Sequence, residues 1–207
     1  MTVTEKYRQL CLIHTNINEQ LPNIRYYAAK CSHVTECGAC GVMSSYALAK
    51  GLLTSDSATK KIVQIDVQRD PTIDVFTEDC KNEGIDHVFF KESDLTCPIE
   101  KTDLLFIDTW HVYAQLKKEL ERWHKYVGKY IVIHNTTIDE DVGESVRVGH
   151  DIDALATQTG YEVADIKRGL WPAIEEFLAA HSEWVVKERV TYNNGLTVLE
   201  RTLSHGC

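Results

Sequence analysis

Apolar positions along the chain follow two repeats in turn, one of 3.6 residues and one of two or fewer. Leu21 to Ala29 sets Leu21, Ile24, Tyr27 and Ala28 at helical spacing. Pro22 suits the first turn of that helix, where its missing N–H costs nothing. His33 to Glu36 is a short apolar stretch running into the turn Cys37-Gly38-Ala39-Cys40-Gly41, and Val42 to Lys50 reads as a helix. Lys61 to Asp66 is rich in β-branched residues and predicts a strand. Ile73 to Asn82 predicts a helix that Gly84 ends.

The pattern then repeats. His87 to Phe90 predicts a strand. Asp103 to Asp108 is a near-continuous apolar run closed by an acid, as expected of a strand buried on both faces. Ala114 to Tyr126 carries Leu116, Leu120 and Trp123 on one stripe of a helix, and Lys129 to His134 is a second buried strand. Trp171 to Ala180 is a helix with Pro172 near its start. Trp184 to Val190 and Leu196 to Arg201 are strand-like, and the Asn-Gly in Thr191-Tyr192-Asn193-Asn194-Gly195 joins them as a hairpin. Strands alternating with helices imply right-handed crossovers and a parallel sheet. The expected fold is therefore a single α/β domain over residues 1–207: a doubly wound, Rossmann-like, mostly parallel sheet ending in an antiparallel hairpin. Residues 1–31 form an N-terminal helical segment. Residues 137–169, polar and irregular, read as an insertion on the substrate side.

Charge narrows the partners. With 22 Lys and Arg against 31 Asp and Glu the formal net charge is −9, and no basic run occurs, so nucleic acid is not an expected partner. Neither a secretory signal nor an apolar run of membrane-spanning length is visible, which leaves a cytoplasmic protein with no membrane partner as the expectation. Seven cysteines, scattered and odd in number, do not form a disulfide framework.

Ligands of an open parallel sheet bind beyond the carboxyl ends of its strands. The first strand stops at Glu36-Cys37-Gly38-Ala39-Cys40-Gly41, where Gly38 and Gly41 allow a tight turn and close approach of a ligand. A simple strand–helix turn accounts for these glycines equally well. The second strand stops at Asp66, placed to accept from both ribose hydroxyls of an adenosine. An acid opening the turn repels pyrophosphate and suits the ammonium of a methionine moiety. This favours S-adenosylmethionine over a nicotinamide cofactor.

Here the sequence resembles a known family. The Glu36–Gly41 segment is similar to the acid-x-Gly-x-x-Gly motif of class I methyltransferases, and Asp66 to their ribose-binding acid. Phe106-Ile107-Asp108-Thr109-Trp110-His111, Ile131-Val132-Ile133-His134-Asn135-Thr136 and the Gly169–Leu178 segment resemble the branch of cephalosporin-hydroxylase-like proteins and macrocin-type sugar O-methyltransferases. The resemblance implies a cofactor site built from Glu36, Gly38, Ala39, Gly41, Asp66, Asp108 and, near adenine, Ser93 and Asp94. It implies O-methylation of a sugar, nucleotide-sugar or glycan hydroxyl, with Asp108 a ligand of a divalent cation such as Mg²⁺ and His111 the general base. It also implies a homo-oligomer, and an N-terminal segment around Asn18 and Glu19 over the cofactor.

An alcohol is a poor nucleophile, so a base near neutral pH or a cation that acidifies the hydroxyl assists methyl transfer. His134 and Asn135 stand where the family commonly has acids that complete the metal site. Asn135 offers an oxygen, but His134 is a poor Mg²⁺ ligand. Asp139, Glu140 and Asp141 are expected to be a solvated acidic loop. Trp110 and Tyr113 are expected to wall the acceptor pocket. Two other readings stay open: a thiol–disulfide protein using Cys37-x-x-Cys40, and a non-catalytic S-adenosylmethionine-binding relative. Zinc held by the C-x-x-C pair finds no second Cys/His pair at finger spacing.

Overall fold

A computed structural model describes residues 1–202. Seven strands form one sheet: β1 (His33–Cys37), β2 (Lys61–Ile65), β3 (Asp86–Phe90), β4 (Thr102–Ile107), β5 (Val127–His134), β6 (Trp184–Val190) and β7 (Leu196–Arg201). Their spatial order is β3-β2-β1-β4-β5-β7-β6. The first five are parallel; β7 runs antiparallel to β5 and to β6. The hairpin expected at Asn193-Asn194-Gly195 is present, with positive φ at all three residues.

Nine helices are present among the described residues. They are α1 (Val3–Leu12), α2 (Leu21–Ala28), α3 (Met43–Leu53), α4 (Thr72–Asn82), α5 (Tyr113–Trp123), α6 (Glu144–Arg147), α7 (Ile152–Thr159), α8 (Val163–Lys167) and α9 (Trp171–Ala180). None is long and apolar enough to cross a membrane. Helices α2 to α5 and α9, and all seven strands, lie where the periodicity predicts them. The expected irregular stretch 137–169 instead contains α6, α7 and α8; α6 and α8 are too short to show a helical repeat, and α7 buries none of its residues, so no apolar stripe marks it. Residues 203–207, with Cys207, lie outside the described residues.

The period-two alternation of the strands splits the core in two. Val34, Ile62, Leu104, Phe106 and Val132 face α1 to α4, while Cys37, Ile65, Leu105, Ile107 and Ile133 face α5 and α9. β1, β2, β4 and β5 are buried on both faces, which is why they read as apolar runs, while the edge strand β3 is only half-buried.

One charged residue interrupts the first face. Glu36 is fully buried beneath the first turn of α3. Its carboxyl accepts from Ser44 Oγ (2.5 Å), Ser45 Oγ (2.7 Å) and Gln64 Nε2 (2.7 Å). Burial pushes the carboxyl up, and the bonds from Ser44, Ser45 and Gln64 oppose that shift. Glu36 thus ties β1 to β2 and to the start of α3, where the helix dipole favours negative charge.

Removing such an acceptor strands three buried donors. Glu36→Ala is expected to cost about 3 kcal/mol in chemical denaturation. Glu36→Gln, whose amide can exchange donor and acceptor roles with the serine hydroxyls, is expected to cost about 1 kcal/mol or less.

Candidate functional site

The chain crosses the sheet between β3 and β4, so β1 and β4 leave the sheet side by side in opposite winding directions. A cleft of about 320 Å³ opens at this point. Gly38 and Cys40 line it from the turn after β1, Asp66 from β2, Glu92, Ser93 and Asp94 from the segment after β3, and Asp108, Thr109 and Trp110 from β4. Four of its twelve lining residues are acids and none is Lys or Arg.

The turn is built to fixed dimensions. Gly38 has φ +86°, and a Cβ there would lie 2.0 Å from the Asp108 carbonyl oxygen. Any side chain at Gly38 would pry β1 from β4. Gly41 also has positive φ, with open space around it. Asp66 accepts from the Ala39 amide at 3.0 Å and from the Gln68 amide at 2.8 Å. It therefore fixes the turn and keeps one lone pair on each oxygen toward the cleft. Asp94 is buried at the far wall, where Gln115 Nε2 donates to it at 3.3 Å. Behind it Glu119 is fully buried, and burial with the neighbouring Asp94 charge pushes its carboxyl far up. Burial pushes Asp94 up as well, against the bond from Glu119 and the Arg122 charge, which pull it down.

A second cluster adjoins Asp108. One oxygen of Asp108 accepts from His111 Nε2 at 2.9 Å and from His134 Nδ1 at 3.1 Å. His134 is fully buried and its Nε2 donates to the Asn16 carbonyl at 3.2 Å. Burial alone would raise Asp108; His134 and His111 outweigh it and hold the carboxyl well below the carboxylate range. On its other side His111 Nδ1 faces Glu144 at 3.2 Å and Asp139 at 3.5 Å. Burial opposes the charged ring, but Asp108 and Glu144 prevail and push His111 up to about 10.

Comparison by sequence finds no match, neither to a family model nor to a curated protein. Comparison by structure does. The O-methyltransferase TomG from Streptomyces achromogenes, in complex with S-adenosylmethionine, aligns over 97% of this chain and 88% of its own, with TM-score 0.58 at 14% identity. An O-methyltransferase from Bacillus cereus, bound to S-adenosylhomocysteine, aligns over 97% and 90%, again with TM-score 0.58 and 14% identity. The N-methyltransferase NodS from Bradyrhizobium japonicum aligns over 89% and 94%, with TM-score 0.52 and 16% identity. The chain has the Rossmann-like methyltransferase fold.

Within this fold the expected residues divide. Gly38, Asp66, Ser93, Asp94, Asp108 and Trp110 meet at one cleft, and Ala39 supports Asp66 from the turn. Glu36, expected at the cofactor, does not line the cleft: its carboxyl is taken up by Ser44, Ser45 and Gln64 under α3. Tyr113 does not wall the pocket either. Its ring is buried against α9, and its hydroxyl donates to Glu176 at 2.5 Å. As the first residue of α5 it turns to the helix face that packs on α9. Asn18 and Glu19 lie outside the cleft lining: Asn18 Oδ1 accepts from the Thr15 amide and its Nδ2 donates to the Cys11 carbonyl, while the Glu19 amide donates to Asn193 Oδ1 in the hairpin loop. Asp139 is not solvated but fully buried, paired with Arg147 at 2.6 Å. Glu144 and Asn194 belong to the site without a sequence signal; Asn194 Nδ2 donates to Asn135 Oδ1 at 3.0 Å.

The thiol reading loses its basis. Cys37 is fully buried on the α5 face, while Cys40 is exposed. Burial pushes both thiols up, and nearby acids add to it, the reverse of an activated pair.

The donor set does not suit a hard cation. Mg²⁺ needs oxygen ligands in near-ideal octahedral array. Here two imidazoles occupy the Asp108 oxygen, and His134 presents nitrogen. The Asn135 amide lies 2.9 Å from both His111 ring nitrogens.

His111 also links stability to pH. Its folded value, about 10, exceeds the ordinary 6.5, so its contribution is complete below pH 6.5 and lost as pH rises through 10. The melting-temperature gap between wild type and His111→Gln should be widest near pH 6 and shrink steadily toward about pH 10. A gap constant over that range would show that His111 is not charged in the fold.

Proposed function

We propose that the chain is an S-adenosylmethionine-dependent methyltransferase acting on a small-molecule hydroxyl, with a sugar as the acceptor class. One observation carries the cofactor reading: a cleft at the β1/β4 crossover that four acids and no basic residue line. Such a wall repels a pyrophosphate and accepts a ligand whose polar groups are hydrogen-bond donors and cations. S-adenosylmethionine, when bound, supplies a methyl group already activated on a sulfonium.

The residues divide the remaining work. Asp66 would hold the ribose hydroxyls, Asp94 the amine of the base, and the Gly38–Gly41 turn would let the methionine end approach the backbone. Trp110 forms an apolar wall next to Asp108, fixed by its Nε1 donating to Ser145 at 2.9 Å and by stacking on Tyr161 at 5.9 Å. Asp108 and His111 meet the acceptor hydroxyl at that wall. In this arrangement alignment supplies most of the acceleration. His111 takes the hydroxyl proton from its neutral form. The acids that orient the ring also keep that form scarce: with a value near 10, about one molecule in 1,000 holds it at pH 7.

Calorimetry should detect S-adenosylhomocysteine at micromolar affinity, ~−8 kcal/mol. Asp66→Ala should weaken it at least tenfold while still melting cooperatively. No heat and no melting shift at millimolar ligand would end the proposal.

Turnover against a panel of sugars, nucleotide sugars and phenols tests the acceptor. Its rate should climb about tenfold per pH unit from 7 to 9 if neutral His111 is the base. His111→Ala should lose roughly 10²–10⁴ in kcat and keep cofactor affinity. Addition of Mg²⁺ should change the rate less than about twofold, since the donor set offers it no octahedral site. A rate flat in pH would remove the base and leave proximity alone.

A further inference from the structure

At the opposite end of the sheet from the cleft, two helix ends converge. His124 follows α5 and opens the turn into β5; His181 caps α9, and Glu183 precedes β6 by one residue. His124 Nδ1 lies 3.8 Å from Glu183 Oε1, and His181 Nδ1 lies 3.6 Å from the same oxygen. One donor atom from each of the three residues falls within 4.8 Å of the others. The two rings sit 4.1 Å apart, beside Phe177.

Stacking on Phe177 explains the rings but not their nitrogens. His124 is only 5% exposed, and its Nδ1 is buried with no hydrogen-bond partner. A buried polar atom left unpaired costs free energy, so native structures rarely keep one without a use. His181 and Glu183 are partly open to solvent, which gives an ion a route in and a place for water.

We propose that His124, His181 and Glu183 form a zinc site that clamps the α5–β5 junction to the α9–β6 junction. Two imidazoles and one carboxylate are a borderline set that suits Zn²⁺ and not Mg²⁺ or Ca²⁺. In a tetrahedral Zn²⁺ site with bonds of about 2.0–2.1 Å, ligand atoms stand roughly 3.3 Å apart. The pairs at 3.6 and 3.8 Å reach that spacing by small side-chain rotations. The three residues share none with the cleft, so the site acts on stability and stands independently of the proposed reaction.

The test uses the full chain stripped of metal and titrated with Zn²⁺, and with Co²⁺ as a visible reporter. The expected result is one saturable equivalent, tetrahedral Co²⁺ absorption and a higher melting temperature. His181→Ala and Glu183→Gln, both at partly exposed positions, should each weaken Zn²⁺ binding by about tenfold or more. Asp108→Asn should bind as wild type does. Absence of saturable binding in the wild type overturns the proposal. So does unaltered binding in both His181→Ala and Glu183→Gln, or loss of binding in Asp108→Asn.

Discussion

The approach of β1 to β4 is the contact on which the site depends. The Asp108 amide donates to the Cys37 carbonyl at 2.9 Å, and the Gly38 amide donates to the Ile65 carbonyl at 2.9 Å. The ladder therefore runs one step past the strands, up to the residue that a side chain at Gly38 would displace. This fixes three things at once: the turn that faces the cleft, the position of Asp66 through the Ala39 amide, and the position of Asp108 at the end of β4. Beneath them Glu36 holds the start of α3, so the floor cannot shift without stranding buried donors. A buried acid serves the site here by shape and not by contact with a ligand.

How far the sequence disclosed this depends on the range of each signal. Gly38, Asp66 and Asp108 end buried strands, and a strand end is visible in a run of β-branched residues that stops. Trp171–Ala180 and the final hairpin were legible for the same local reason, with boundaries that coincide with the observed ones. What local patterns cannot give is the direction of a side chain at the edge of an element. Glu36 stands where the turn after β1 begins, yet period two aims it at α3. Tyr113 starts α5 and follows that helix's buried stripe. Asp139 looks like loop acid because its partner Arg147 is eight residues on, in a helix of four residues that leaves no periodic trace. Glu144 meets His111 only because the 137–169 segment folds back over it: the Glu144 amide donates to the His111 carbonyl at 2.9 Å. His124 and His181 are joined by packing of two helix ends, and nothing in their spacing shows it.

The same segment explains why an irregular stretch of sequence stays ordered. Gly169 passes so near Glu140 that a Cβ would lie 2.3 Å from its carbonyl oxygen. Its amide donates to Asp141, that of Leu170 to Asp139, and that of Trp171 to Glu140. The segment is thus stapled at its base to the start of α9 by backbone bonds, while α6 brings Glu144 to His111 and Arg147 to Asp139. The loop was expected beside the substrate because of its length; its base is what makes it able to hold a charge in place.

His134 gives the site its electrostatic character. An acid at this position would set two carboxylates side by side, an arrangement that a divalent cation stabilises. With His134 the balance is reached by the protein alone. Asp108 lies between two imidazoles, Asp139 is paired with Arg147, and Glu144 faces the far nitrogen of His111. In a buried setting each negative group thus has a cationic or N–H partner within hydrogen-bonding reach, as low dielectric requires. The consequence falls on His111. The same neighbours that neutralise the cluster hold a proton on its ring, so the group best placed to accept a proton is also the one the fold keeps charged. Any ligand that draws Glu144 away from Nδ1, or that pushes a hydroxyl between His111 and Asp108, lowers the ring's proton affinity. Acceptor binding and proton acceptance are in that way coupled through one imidazole, and the acids around it set how much of the acceptor's binding energy that coupling consumes.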